Sequence, residues 1–461
     1  MNNVPSKLYK HSKQKAFRLT PAKFIVIGFS LVILLGAFLL FLPQSQADGY
    51  NISFTDSLFT SVSSVCVTGL VIVDTNIAWS FFGKTIILLL IQIGGLGIMS
   101  VVTIFSVFAG KKLGLLDRLT IQESLNNFTF GGVVKTFRSI FIVTMIIEAI
   151  GALLLFIGFL PIYGFKLGLL NSIFHSVSSF CNAGFDIFGS VDNQFISLLE
   201  FNNSYLTVLT TSMLIIVGGL GFIVWNDVAK NRKFSKLTLH SKLVITMSGC
   251  LLIAGTLAFF IFEFNNPMTL KSMPISDKLL NSFFQSVTTR TAGFSTILPS
   301  NMSESSNFFT ILLMFIGGAP GSTAGGIKVT TFSIIILTVI SFAKNRDEVQ
   351  IFERRLPQGI IKKVVAVVAL AMLIVITSTT VLLCNENVTF MQALYESVSA
   401  FGNVGLSTGI TPQLSSASKY ALMASMLLGR VGPITAVVAF ISTSNDKKMH
   451  YRYPEGKITV G

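Results

Sequence analysis

One phrase is written four times in this chain, and it constrains the fold more than any other feature. It reads "SLFTSVSSVCVTGL" at 57–70, "SIFHSVSSFCNAGF" at 172–185, "SFFQSVTTRTAGF" at 282–294 and "ALYESVSAFGNVGL" at 393–406. The serine of the Ser-Val pair falls at 61, 176, 286 and 397, at intervals of 115, 110 and 111 residues. So regular a recurrence marks an internal repeat. Each copy lies between apolar runs, and eight runs appear, near 22–43, 84–109, 139–160, 205–228, 243–263, 307–343, 364–384 and 419–443. Crossing the hydrocarbon of a bilayer takes about 20 residues of helix, which each run supplies. Two crossings return the chain to its starting side, so the four units are parallel, arranged about an axis normal to the membrane. The expected fold is an all-α membrane protein: four parallel repeats of span, re-entrant pore helix and span around one pseudo-fourfold pore.

The phrase itself is too short to cross. From the candidate N-caps (Ser53 or Thr55, Ser276 and Thr389) it runs about 13 residues, on the order of 20 Å of helix. Such a segment dips in from outside and turns back. Irregular backbone at that depth must be buried in protein or line a water-filled cavity. Candidate ion-coordinating carbonyls are those of Val67, Thr68 and Gly69, of Asn182, Ala183 and Gly184, of Thr291, Ala292 and Gly293, and of Asn403, Val404 and Gly405. Carbonyls freed from helical bonding can replace the hydration shell of a cation, and glycine supplies the torsional freedom the turn needs. Four helix C-termini aimed at one place favour a cation over an anion. The competing reading is four ordinary buried helix-turn units that tolerate small polar residues. The third copy has one residue fewer between Ser286 and Gly293, which leaves its carbonyl layers open.

Charge placement sets orientation. Of 34 Lys and Arg, 26 fall on one side of the proposed spans: six from Lys7 to Lys23, five at 111–138, five at 230–242, six at 344–363 and four after 446. Both termini are therefore expected in the cytoplasm. The net charge of +14 follows from this topology and from anionic membrane lipid. No aromatic-basic surface motif accompanies it, so no nucleic-acid partner is expected. "SQA" at 45–47 resembles a signal-cleavage site, but the preceding apolar stretch is too long for a signal peptide and reads as a retained span. Cys66, Cys181, Cys250 and Cys384 have no metal spacing and read as small packing residues. The organisation is a basic arm at 1–21, repeat one at 22–110, repeat two at 139–229, repeat three at 243–343, repeat four at 364–443 and a tail at 444–461.

At these residues the chain resembles the membrane subunit of a Ktr-type potassium uptake system, in the Trk/Ktr/HKT superfamily. The resemblance runs from about 20 to 445, and four single-glycine turns in one polypeptide are highly specific to it. It implies a four-repeat, potassium-channel-like fold and potassium as the transported ion. A glycine in every turn resembles the potassium-selective members, whereas a serine in the first repeat is associated with sodium transport in some plant relatives. The family further implies a homodimer, a separate cytoplasmic ring of nucleotide-binding (RCK-type) regulatory subunits, and sodium as an activator in some members. No covalently bound cofactor is expected, and the location is the plasma membrane.

The run 307–343 would make one helix of about 55 Å, far more than a span needs. It contains "GGAPGSTAGGIK", in which Gly317, Gly318, Pro320, Gly321, Gly325 and Gly326 break a helix, with Ser322, Thr323 and Lys328 among them. A phosphate loop is excluded by pattern, because Ile327 separates Gly326 from Lys328 and no strand precedes it. The stretch reads as an intramembrane loop at 317–328; the resemblance supports a gate, and a passive kink is the alternative. "GGLG" at 94–97 and 218–221 reads only as small residues for helix packing. Repeat four has "GRVGP", with Arg430 where the other repeats carry Gly95, Gly219 and Gly318. The resemblance implies that Arg430 projects into the pore; the alternative is a paired or snorkelling packing residue. Lys328 is either part of the gate or an interfacial anchor. Thr60, His175, Gln285 and Glu396, which precede the four Ser-Val pairs, read as makers of local hydrogen bonds.

A rival function is a sodium- or proton-coupled carrier with alternating access, for which Glu148, mid-span, is the main candidate carboxylate. An intramembrane enzyme is not expected, since no His, Asp and Ser cluster and no HExxH is present.

Overall fold

The computed structural model describes residues 21–97, 133–346 and 348–440. The arm at 1–21 except its last residue, most of the 111–138 connection and the tail at 444–461 lie outside them.

Repeat one comprises α1 (Pro21–Phe41), α2 (Phe54–Cys66) and α3 (Phe81–Leu96). In repeat two, α4 (Val133–Phe180) joins the first apolar helix and the phrase-bearing helix in one run broken at Gly164, whose φ of 68° and ψ of −175° are non-helical, just after Pro161. It continues with α5 (Tyr205–Leu220) and α6 (Phe222–Asn231). Repeat three is α7 (Leu239–Glu263), α8 (Ile275–Thr288), α9 (Glu304–Phe315) and α10 (Val329–Ala343). Repeat four is α11 (Gln358–Asn385), α12 (Phe390–Gly402), α13 (Ser416–Val431) and α14 (Pro433–Phe440). A two-residue hairpin pairs Gln350–Ile351 with Arg354–Arg355.

Four helices among the described residues are long and apolar enough to cross a membrane, within α1, α4, α7 and α11, and six if each bent pair α5–α6 and α13–α14 counts as one. The run near 84–109 is described only as far as 97, and the run at 307–343 is interrupted after Phe315.

Burial is inverted relative to a protein in water. On α1, Leu31 is 62% and Phe38 60% exposed, while Ser61 and Ser63 on α2 and Ser176 and Ser178 on α4 are at 0%. Apolar side chains face outward because the solvent there is hydrocarbon, and hydroxyls are acceptable inside because each can bond a backbone carbonyl. Ser61 Oγ donates to the Ile33 carbonyl at 2.7 Å, Ser176 Oγ to that of Glu148 at 2.6 Å and Ser286 Oγ to that of Leu252 at 2.9 Å. One turn further along each span sits a glycine, Gly36, Gly151 or Gly255, whose missing side chain leaves room for that serine. In this way the serine of the Ser-Val pair clamps the short helix of repeats one to three to its own first span. The Ser397 hydroxyl of repeat four has no partner.

Two expectations need correction. Ser53 and Thr389 do cap α2 and α12, Thr389 within a full capping box with Gln392. Ser276, however, lies inside α8, whose N-cap is Pro274. Nor do the GGLG glycines serve packing alone. Gly218 does pack against the Phe180 carbonyl, but Gly221 takes φ +89° and turns the chain by 93° between α5 and α6. Gly432, at φ +94°, does the same by 98° between α13 and α14. A bend after the second span is thus not confined to repeat three.

Candidate ion-coordinating ring and its loop

The four helices that carry the repeated phrase end the same way. Val67, Asn182, Thr291 and Asn403 all adopt positive φ, between 53° and 69°, and each stands two residues before the turn glycine. In repeats one, two and four the next amide bonds back five residues, Thr68 to Ser63, Ala183 to Ser178 and Val404 to Ser399, at 2.7 to 2.9 Å. This is the Schellman closure of a helix. In repeat three Ala292 bonds back only four residues, to Thr288, at 3.0 Å. The missing residue is therefore absorbed in the last helical turn, and the backbone from Thr291 to Gly293 matches its counterparts.

The third residue of the phrase braces the far side of the turn. Ser63 and Ser399 hydroxyls accept from the amides of Gly69 and Gly405, each at 3.1 Å, while Ser178 and Thr288 donate to the carbonyls of Phe185 and Phe294 at 2.7 and 2.6 Å. Sequence reasoning missed these four hydroxyls as functional positions; their recurrence as the last letter of Ser-Val-Ser/Thr was the available signal.

The four glycines close a ring. A β-carbon built on Gly69 would come within 3.0 Å of the Gly184 Cα, on Gly184 within 2.9 Å of the Gly293 Cα, on Gly293 within 3.2 Å of the Gly405 Cα, and on Gly405 within 3.0 Å of the Gly69 Cα. At each step it would also press on a backbone oxygen, of Ala183, Ala292, Val404 and Thr68 in turn. All four phrases, more than a hundred residues apart in the chain, thus converge on one centre. Buried side chains link neighbours behind it: Asn403 Nδ2 donates to Thr68 Oγ1 at 2.9 Å, and the Asn182 amide lies 3.4 Å from Thr291 Oγ1.

The glycine-rich segment between α9 and α10 is packed against this ring. Its neck is closed by Gly317 N to Ile327 O at 2.8 Å and Val329 N to Gly318 O at 3.0 Å. Two amides reach repeat two, Ala319 to Gly219 O at 3.0 Å and Thr323 to Gly218 O at 3.3 Å, and Gly321 O accepts from Phe222 N at 3.0 Å. Pro320 stands against Gly221, and Ser322 Oγ donates to Ala319 O at 2.6 Å. Thr323 Oγ1 lies 3.3 Å from both the Phe180 carbonyl and the Asn182 amide. On the other flank Gly325 abuts the Asn403 side chain and Gly326, at φ +64°, the Gly402 backbone.

Lys328 Nζ folds back onto the loop, donating to Ala324 O at 2.7 Å and Gly325 O at 3.4 Å. It is a clasp within the loop and does not reach out as an interfacial anchor. Arg430, on the last turn of α13, donates to the Thr323 carbonyl and to the Gly94 carbonyl at the end of α3, with Gly95 O at 3.5 Å. A cation at membrane depth costs at least about 2.5 kcal/mol unless partnered; here carbonyls of the loop and of repeat one partner it.

Glu148 stands apart from the ring, buried on α4, where it accepts from Gln92 Nε2 at 3.2 Å and lies 3.9 Å from Cys181 Sγ. No group of three or more His, Cys, Asp or Glu that could hold a metal occurs among the described residues. Glu396, read from sequence as a maker of local bonds, instead reaches residues 11 to 15 positions away.

Comparison with known proteins places the chain in a family. The family model described as TrkH, cation transport protein, matches residues 4–451. The chain is 42% identical to Ktr system potassium uptake protein B of Bacillus subtilis, across 98% of this chain and 100% of that one. It is 38% identical to the potassium/sodium uptake protein NtpJ of Enterococcus hirae, across 96% and 98%. The crystal structure of the potassium transporter TrkH from Vibrio parahaemolyticus superimposes with a TM-score of 0.73 at 19% identity, across 95% of this chain and 87% of that one. The resemblance read from the four phrases is borne out: the chain belongs to the TrkH family of cation transport proteins.

Proposed function

We propose that this protein takes up potassium across the plasma membrane through the centre of the glycine ring, with both termini in the cytoplasm. The observation that carries the reading is the closure of the four turns on one point. Carbonyls of Val67, Thr68, Gly69, Asn182, Ala183, Gly184, Thr291, Ala292, Gly293, Asn403, Val404 and Gly405 act as a filter that replaces the hydration shell of a dehydrated cation. The C-terminal ends of α2, α4, α8 and α12 reinforce it with their partial negative charge. The relatives whose names include potassium uptake support the choice of ion.

The loop from Gly317 to Lys328, tied by Arg430, is the gate. Its hydrogen bonds beyond itself go to the ends of α4, α5 and α6 in repeat two and to Arg430 of repeat four, so it can detach without unfolding a span. Opening is controlled by a separate cytoplasmic nucleotide-binding subunit, and the protein works as a homodimer with sodium as an activator; membership of the family supports these three expectations. The carrier alternative has Glu148 in its favour, but that carboxylate faces Gln92 and Cys181 and is not part of the ring.

The test is growth of a potassium-uptake-deficient bacterium at limiting potassium, with and without the candidate partner, together with Rb+ uptake by proteoliposomes. Rescue and saturable Rb+ uptake are expected. Absence of both, with the protein present in the membrane, would refute the reading. Strict coupling of uptake to a proton or sodium gradient, abolished by Glu148→Gln, would favour the carrier.

A further inference from the structure

Immediately before its Ser-Val pair the fourth repeat carries a buried carboxylate, where the other three have none. Glu396 stands immediately before the Ser-Val pair, where repeats one to three have Thr60, His175 and Gln285. It is 0% exposed. Its hydrogen bonds all go to the segment that leaves the Gly405 turn. Oε1 accepts from the Ser407 hydroxyl at 2.6 Å, the Thr408 amide at 2.9 Å and the Thr408 hydroxyl at 3.2 Å, and Oε2 accepts from the Thr411 hydroxyl at 2.9 Å. Ser407 in turn accepts from the Gly409 amide at 2.9 Å and lies 3.1 Å from the Thr411 hydroxyl.

At the matching position the other three repeats hold no such network. Thr60 bonds the Asp56 carbonyl of its own helix at 2.9 Å. His175 contacts the Asn171 carbonyl at 2.8 Å and stacks on Phe188. The Gln285 amide has no partner at either atom. A buried carboxylate is tolerable only where donors surround it. These four bonds to three residues tie the segment to α12.

We infer that Glu396 is a specificity-determining positioning residue: as a hydrogen-bond acceptor it holds 407–411 and, through it, the outer side of the Gly405 turn, keeping the fourth repeat's carbonyls at the spacing that separates potassium from the smaller sodium ion. The inference rests on the ring being the ion filter. It is an acceptor role and not a long-range charge effect, and the two are separable. Glu396→Gln keeps an oxygen toward Ser407 and Thr408 and removes the charge; the Thr411 hydroxyl can rotate to accept from the new amide. Glu396→Asp keeps the charge and withdraws it by one methylene from all four donors.

Rb+ and Na+ uptake by proteoliposomes decides between them. Glu396→Gln is expected to keep the Rb+/Na+ uptake ratio within about twofold of the parent, and Glu396→Asp to lower it by about fivefold or more. Thr411→Val should move the ratio in the same direction, with little added when combined with Glu396→Asp. Loss of discrimination in Glu396→Gln equal to that in Glu396→Asp overturns the acceptor role, as does an unchanged ratio in Glu396→Asp. If Glu396→Asp does not reach the membrane, Thr411→Val and Ser407→Ala, which each remove one bond to the carboxylate, carry the same comparison. Hydrogen exchange of 406–411 is read in parallel and must rise in Glu396→Asp but not in Glu396→Gln. That readout still decides the positioning role if the parent carries no alkali cation, an outcome that would remove the filter reading alone.

Discussion

Arg430 and Thr323, 107 residues apart, are joined by a hydrogen bond from the guanidinium to the backbone carbonyl. The bond ties the glycine-rich loop of repeat three to the last turn of repeat four. Because Arg430 also bonds Gly94 O, it spans from the loop to repeat one. Hydrogen bonds to a charged group contribute about 1.5–3 kcal/mol each. Arg430→Ala should therefore raise basal cation leak through proteoliposomes on the order of tenfold, without a regulatory partner present. Unchanged leak from a normally folded variant would remove Arg430 from the gate.

The ring of glycines separates steric crowding from backbone strain. Gly184 and Gly409 both have positive φ, +67° and +97°, but a β-carbon on Gly184 would meet the Ala292 carbonyl at 2.7 Å and one on Gly409 meets nothing within 4 Å. Alanine in the left-handed region costs about 1–2 kcal/mol at either site. Gly409→Ala should cost only that in thermal unfolding and retain Rb+ uptake, whereas Gly184→Ala should abolish uptake. Equal loss from both would mean that strain alone matters.

Serine clamps should be unequal. Ser176→Ala removes a bond to the Glu148 carbonyl and leaves that acceptor without it, a loss of about 1 kcal/mol. Ser397 has no partner to lose, so Ser397→Ala should be neutral or slightly stabilising. Thermal unfolding of the two purified variants compares them directly, and a larger loss at Ser397 would contradict the clamp.

External pH should modulate uptake through Asp186, which follows Gly184 by two residues, beyond the membrane-spanning helices. Burial and the nearby Asp74 carboxylate push its carboxyl up to about 7, against the pull of the Phe188 amide. An unfolded aspartate titrates near about 3.9. The folded value is the higher one, so its ionised form is disfavoured by the fold; its stabilising contribution is full below the unfolded value and is lost as pH rises through about 7. Ionised, it adds negative charge at the outer mouth and draws cations in. Uptake should rise as external pH passes about 7, and Asp186→Asn should flatten that step. A step that persists in the variant belongs to another group.

Much of the fold was legible because its cause is local. Phrase, flanking apolar runs and turn glycines each carry their own pattern, and the break at 317–328 announces itself through glycine and proline. The bends at Gly221 and Gly432 were not, since a glycine in "GGLG" can equally mean close packing, and only its φ distinguishes the two. Ser276 failed as a cap because a serine near a helix start is common and the chain began the helix two residues earlier than a cap there would require, at Ile275. The role of Glu396 was hidden because its partners lie beyond the turn and not on its own helix.

By itself the sequence determined how many units there are, where each must turn and which backbone becomes irregular, for hydropathy and repetition act over tens of residues. Tertiary structure alone decided that Gly69 meets Gly184 and that Gly405 closes on Gly69. It also decided that Arg430 finds oxygen in both the loop and repeat one, and that Glu396 gathers its donors. Such contacts join segments that share no periodic signal, and they exist only once the helices have packed.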